Sequence, residues 1–254
     1  MKVISYNTLA KRYIEPESYW NRYPHIKNHE IRLWDYRLPI IIKLISEENA
    51  DLILLQEIEL ESFEKDFAPL FAKYSFWKHE YSKKVRNNPI GNVILWKNNV
   101  VPIKQTTTSC SLIVEFDNFW VINVHLKAGI VSGEDIRLNQ IKSVLKNVNY
   151  DKPGFMAGDF NDILDSPCLY NVTIKRLVAK ELARLQIHSY LNSCYVHNRE
   201  YNTDNYWTFD HVVSNRLQIT ISAHTDNDSK PIPNESEPSD HLMMVFEIAE
   251  PHEI

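Results

Sequence analysis

The sequence predicts an α/β or α+β layered sandwich, folded as one domain over residues 1–254. Three observations predict it. Short apolar runs of strand length recur along the whole chain, stretches with helical spacing lie between several of them, and polar side chains follow where the runs stop.

Taken in order, Val3–Tyr6 reads as a first strand, followed by Asn7. Ile31, Trp34, Leu38, Ile41 and Ile45 keep the three-and-four spacing of one helix face. Leu52–Leu55 is apolar throughout, as a strand buried on both faces would be, and Gln56-Glu57 follow it. Glu61–Tyr74 reads as a helix with Phe63, Phe67, Leu70 and Phe71 on one side. Val93–Trp96, Leu112–Phe116 and Trp120–Val124 are further strands, the last ending at His125. Ile136–Val148 reads as a helix entered through Ser132-Gly133-Glu134-Asp135, whose acids suit the positive end of the helix dipole. Gly154–Ala157 is a strand that delivers Asp159-Phe160-Asn161, and His211–Val213 and Met243–Ile248 complete the set. Rigid strand ends hold loops in place, so the polar residues collected there are where function is expected.

Hydrophobic residues make up 44% of the chain and charged residues 24%, and the net charge is −5. That balance is ordinary for a soluble globular protein and gives no overall attraction to nucleic acid, although a local acidic metal site and a local basic groove remain compatible with it. Cys110, Cys168 and Cys194 are widely spaced with no CxxC pair, which suggests neither a zinc site nor a disulfide framework and fits a reducing compartment. The apolar stretch Leu38–Ile45 contains Pro39 and Lys43 and cannot span a membrane, and the first residues lack a signal-peptide run. The expectation is an intracellular, cytoplasmic monomer with no membrane partner.

Four segments concentrate chemistry. Glu57 closes an apolar strand, and a carboxylate there needs a partner, such as a metal ion, unless it is simply a solvated strand-end acid. His125 ends a run where apolar residues would be expected; alone, it reads equally as a hydrogen-bonded core histidine. In Ala157-Gly158-Asp159-Phe160-Asn161, Gly158 permits close backbone approach, and continued extended geometry would put Asp159 and Asn161 on one side. In Pro238-Ser239-Asp240-His241 a carboxylate adjoins an imidazole that Asp210 could orient.

Together these segments resemble the endonuclease/exonuclease/phosphatase superfamily. Ser5-Tyr6-Asn7, Leu55-Gln56-Glu57, Asn123-Val124-His125-Leu126, Gly158-Asp159-Phe160-Asn161, Asp210 and Ser239-Asp240-His241 occur in the family's order and span nearly the whole chain. The N-terminal third is similar to the cytoplasmic deadenylase–nocturnin–Angel branch, through Ser5-Tyr6-Asn7-Thr8-Leu9-Ala10 and Leu33-Trp34-Asp35-Tyr36-Arg37. Trp34 is expected to pack and Arg37 to pair with a carboxylate. Two departures, at Gly91-Asn92-Val93 and in the shortened stretch before Asp210, leave base preference open.

The resemblance implies a four-layer, DNase I-like sandwich of two mixed β-sheets flanked by helices. It implies a Mg²⁺- or Mn²⁺-dependent phosphodiesterase using one or two ions, held by Glu57 with Asn7, Asp240 and His241, and by Asp159 and Asn161 if a second ion binds. His125 and His241 would hold phosphate oxygens, Asp159 would orient or deprotonate water with Asn161 beside it, and Asp210 would hold His241. Arg137, Lys83, Lys84, Trp207 and Phe209 are candidates for contact with the polyanion and its bases. The expected activity is a deadenylase-like 3'-5' exoribonuclease, RNA being favoured over DNA. Another hydrolase on the same scaffold (a small-molecule or nucleotide phosphatase, a 2'-5' phosphodiesterase, an AP-type DNA endonuclease) and a catalytically silent RNA-binding module are the alternatives.

Overall fold

Side chains of a strand alternate between its faces, and the first strand shows what that alternation builds. The computed structural model describes residues 1–80, 89–129, 133–162, 178, 181–183, 185–189, 193–198, 203–222 and 231–249. In it, Val3 joins a core lying between two sheets, while Ile4 and Tyr6 join a second core on the far side of their own sheet.

The described strands are β1 (Lys2–Asn7), β2 (Leu52–Glu59), β3 (Tyr74–Glu80), β4 (Ile90–Lys97), β5 (Lys104–Thr107), β6 (Ser111–Glu115), β7 (Trp120–His125), β8 (Gly154–Asp159), β9 (Gln186–Ser189), β10 (Cys194–Asn198), β11 (Thr203–Trp207), β12 (Asp210–Asn215), β13 (Gln218–Ser222) and β14 (Met244–Ala249). The α-helices fully within the described residues are α1 (Trp34–Glu48), α2 (Phe63–Asp66) and α3 (Glu134–Leu145). One sheet has the order β13-β14-β1-β2-β4-β3, the other β5-β6-β7-β8-β12-β9, and β10-β11 form a separate hairpin. Each large sheet mixes one parallel pairing, β1 with β2 and β7 with β8, with antiparallel ones.

Leu52, Leu54 and Met244 of the first sheet meet Val121, Phe155 and Val212 of the second in the central core. Trp34, Ile41 and Ile45 of α1 cover the outer face of the first sheet over Ile53, Leu55 and Val93. Ile141, Val144 and Leu145 of α3 cover the second over Ile122, Met156 and Val213. Helix, sheet, sheet and helix give the four layers expected. No helix among the described residues is long and apolar enough to cross a membrane.

One predicted helix is corrected. Glu61–Tyr74 yields only α2 and a 3-10 turn at Ala68–Leu70 before Tyr74 opens β3. Pro69 has no N–H, and its ring obstructs the preceding turn of an α-helix. Phe63, Phe67 and Leu70 are buried all the same, because the shortened coil turns them toward the same core.

Under the site the two sheets are bolted together by buried amides. Gln56 donates to Ser5 Oγ (3.2 Å) and to Asn123 Oδ1 (2.8 Å), and Asn123 donates across the interface to the Leu55 and Val93 carbonyls (2.9 and 2.8 Å). Buried amides bonded across the layers this way fix one register between them.

Gly158 meets a different demand. Its φ is +143°, and a Cβ there would lie 2.1 Å from the Val124 carbonyl oxygen of the neighbouring strand. Gly158→Ala is expected to lose on the order of 3 kcal/mol, since a strained backbone conformation alone costs about 1–3 kcal/mol. Urea unfolding measures it; a midpoint matching wild type would show that β7 and β8 can separate freely.

Candidate active site

Strand register assembles the first half of the site. His125 is the partner of Asp159 across β7 and β8, and Asp159 is the partner of Asp210 across β8 and β12. Three residues separated in sequence therefore stand side by side at one sheet end. On the other sheet, Asn7 pairs with Gln56, which places Asn7 beside Glu57.

Asp159 is the hub. It is 2% exposed. Its Oδ2 accepts from Asn7 Nδ2 at 3.1 Å, and its Oδ1 accepts the Asn161 backbone N–H at 2.8 Å. Nε2 of His125 and Nε2 of His241 each lie 3.5 Å from the same Oδ2. The extended geometry expected through Asn161 is corrected: Asn161 has φ 48°, and the chain turns there. An Asp side chain accepting from the N–H two residues on makes that turn. Asn161 still faces the cleft, anchored by a side-chain bond to the Leu126 carbonyl (3.1 Å).

Glu57 sits in a break of register between Leu55 and Ile58 of β2, with φ 58°. The break turns its carboxylate toward the site, where Oε2 accepts the Ala10 N–H (3.0 Å) and Oε1 lies 3.9 Å from His125 Nε2. Leu9 also has positive φ, 54°, and its N–H is held by Asn7 Oδ1 at 3.0 Å. Strained backbone at Leu9, Glu57 and Asn161 is thus concentrated around one spot, as is common where structure serves chemistry.

Asp240 and His241 arrive from the loop before β14. Ser239 Oγ donates to the Asn7 carbonyl (2.7 Å), and the Tyr195 N–H donates to the Asp240 carbonyl (2.8 Å), so the first sheet and the hairpin fix this loop. Asp240 Oδ2 accepts from the Tyr23 hydroxyl at 2.8 Å. His241 Nδ1 bonds Asp210 Oδ2 at 2.8 Å, which leaves Nε2 facing the cleft.

Burial alone would strip the His241 proton, but Cys194, Asp210 and Asp159 outweigh it and hold the imidazole well above the ordinary histidine value. The Cys194 thiol is itself pushed up to about 12 by burial, so the two carboxylates carry the effect. The Glu57 carboxyl is raised, first by burial and then by Asp240, with His125 opposing.

Glu57, Asp159, Asp240, Asn161, His125 and His241 line one cleft of 390 Å³. A Glu57 carboxyl raised by burial and further by Asp240 leaves room for a cation. Oxygen donors from carboxylates suit Mg²⁺ or Mn²⁺. The donor set therefore fits a hard divalent ion.

Of the other expected residues, Phe209 lines the cleft, and Trp207 stacks on it with ring centroids 6.0 Å apart. Lys83 and Lys84 lie outside the described residues. Arg137 is fully buried and bonded to the Lys127 and Gly129 carbonyls (3.0 and 2.7 Å) and to Glu134 (3.0 Å), so it clamps the loop after His125. Trp34 is buried as expected. Arg37 is corrected: it donates to the carbonyls of Thr8, Leu9 and Pro238 (3.0, 2.8 and 3.0 Å), tying the Asn7 loop to the Asp240 loop.

Arg22, Tyr23, Cys194 and Tyr195 also line the cleft. The exposed Arg22 guanidinium lies 4.6 Å from the Tyr19 ring centroid. These residues come from irregular backbone and a peripheral hairpin, and no hydrophobic period announced them.

Comparison with known proteins agrees with this fold. The model of the Endonuclease/Exonuclease/phosphatase family matches residues 4–241. Protein angel homolog 2 of Mus musculus is 27% identical over 197 residues, 65% of this chain and 35% of that protein. The CCR4-Not complex 3'-5'-exoribonuclease subunit Ccr4 of Saccharomyces cerevisiae is 36% identical over 74 residues, 29% of this chain and 8% of that one. This chain thus spans about a third, or less, of the length of these curated relatives. The crystal structure of ANGEL2, a 2',3'-cyclic phosphatase, in complex with adenosine-2',3'-vanadate superimposes with TM-score 0.71 at 18% identity, covering 97% of this chain and 94% of that one.

Proposed function

The chain belongs to the endonuclease/exonuclease/phosphatase family, and we propose that it is a divalent-metal-dependent phosphodiesterase that acts on RNA 3' ends, removing nucleotides in the 3'-to-5' direction. One observation carries the reading: a single Asp159 oxygen is approached by Asn7, His125 and His241 in a cleft that also holds Glu57 and Asp240.

In this reading Glu57, with Asp240 and Asn7, would hold the ion, and a second could be held near Asp159 and Asn161. When bound, a divalent cation supplies positive charge against the phosphate and the departing alkoxide. The remaining work belongs to the chain. Asp159, pinned through both oxygens, orients the attacking water and takes its proton. His125 and His241 flank it and donate to the non-bridging oxygens, where charge develops. Asp210 keeps the His241 proton arrangement and ring orientation fixed. Phe209, with Trp207 stacked behind it, offers aromatic surface to a terminal base.

A second reading, opening of a 2',3'-cyclic phosphodiester, is favoured by the likeness over nearly the full chain to the vanadate complex. Both readings use the same in-line displacement at phosphorus and differ in the leaving oxygen.

Labelled oligo(A), mixed-sequence RNA, RNA ending in a 2',3'-cyclic phosphate, single-stranded DNA and abasic duplex, each with Mg²⁺, Mn²⁺ or EDTA, separate the readings. Stepwise shortening of RNA, lost in EDTA, is the expected result. Ring opening without shortening would select the second reading. Cleavage of the abasic duplex alone, or RNA binding without turnover under any metal, would overturn both.

A further inference from the structure

Cys194 takes no part in this chemistry, yet its sulfur stands in the cleft. Its Sγ, a carboxylate oxygen of Asp240 and a ring nitrogen of His241 lie within 4.8 Å of one another. The backbone holds them there, because Cys194 and His241 are bridge partners and the next residue's N–H bonds the Asp240 carbonyl. His241 is bonded through Nδ1 to Asp210 at 2.8 Å, the carboxylate–histidine arrangement that orients metal-binding imidazoles.

We propose that Cys194, Asp240 and His241 capture a thiophilic divalent cation, zinc or its surrogate cadmium, and that this occupancy shuts the cleft down. The inhibition rests on the reading above; the binding does not. Sulfur, nitrogen and oxygen donors together are zinc's set, whereas magnesium and manganese favour oxygen alone. Zinc sits about 2.0–2.3 Å from such donors, so rotations closing roughly 1 Å bring all three onto one ion, with water in the fourth position. The S–H bond breaks, an S–metal bond forms, and the proton leaves to solvent; nothing is oxidised or reduced. A captured ion withdraws His241 from the phosphate and Asp240 from the magnesium set, and excess magnesium competes poorly for sulfur.

The test titrates the metal-free full chain with cadmium, following the ultraviolet cadmium–thiolate charge-transfer band, and measures bound zinc by equilibrium dialysis. Wild type is compared with Cys194→Ser and Cys194→Ala, each retaining Cys110 and Cys168. RNA turnover at saturating magnesium is then followed against zinc, each protein normalised to its own zinc-free rate. Wild type should show the band, and both variants should lose it together with about tenfold or more of the zinc sensitivity. A band that persists in both variants, or equal zinc sensitivity in all three proteins, overturns the proposal. If no substrate turns over, the band still decides: present in wild type and absent from the variants, it sustains capture while the functional reading falls.

Discussion

Glu57→Gln is expected to abolish turnover while leaving the chain as stable as wild type or more so. A carboxylate that anchors a cation in phosphoryl chemistry supplies several kcal/mol of transition-state stabilisation, so a loss of about 4 kcal/mol, roughly 10³-fold, is the expected scale. Stability should move the other way. The folded Glu57 carboxyl is raised above its ordinary 4.5 by burial and by Asp240. Its contribution to stability is therefore present below about pH 4.5 and is lost as pH rises through the folded value; at neutral pH the ionised form works against the fold. Glutamine removes that charge and can still accept the Ala10 N–H. Thermal unfolding at neutral pH with and without Mg²⁺ checks both halves. Magnesium should raise the wild-type Tm, because an ion bound only to the folded chain stabilises it, and should lose most of that effect in the variant. Activity within tenfold of wild type, or an undiminished magnesium shift, would remove Glu57 from the metal site.

The same residue shows what the sequence could and could not reveal. Glu57 was visible as an acid ending an apolar strand, but the positive φ that turns it into the cleft arises from a register break against β4 that no local pattern encodes. The central strands were legible because burial on both faces requires continuous apolar runs. β3, β5, β9 and β13 lie at sheet edges; β13 alternates exposed Gln, Thr and Ser with half-buried Ile, and β5 exposes Lys104, Gln105 and Thr107, so their signal is faint. β10 and β11 form a separate hairpin outside both large sheets. Arg137 carried a charge that suggested a phosphate contact; only the fold shows the carbonyls that enclose it. Tyr23 and Cys194 reach the cleft from a 3-10 segment and a hairpin, where neither helical nor strand periodicity marks a side chain as inward.

Asp210→Asn should cost about 10–100-fold in kcat/KM, the usual effect of removing a carboxylate that orients an imidazole, and should move the alkaline limb of the pH profile to lower pH. Asp210 and Asp159 hold His241 above its ordinary 6.5. The protonated form, the better donor to a phosphate oxygen, therefore survives to higher pH in wild type than in a variant lacking Asp210. Stability follows the same sign. The Asp210–His241 contribution is fully present below pH 6.5 and fades as pH rises through the folded value, so the two proteins should differ most in acid and converge in base. A cycle with His241→Ala separates positioning from direct action. If Asp210 acts through His241, the double variant should be no slower than His241→Ala alone, because the coupling of two residues working as a unit cancels the second loss. A double variant slower by the product of the single effects, or an alkaline limb unmoved in Asp210→Asn, would give Asp210 a direct role in the chemistry.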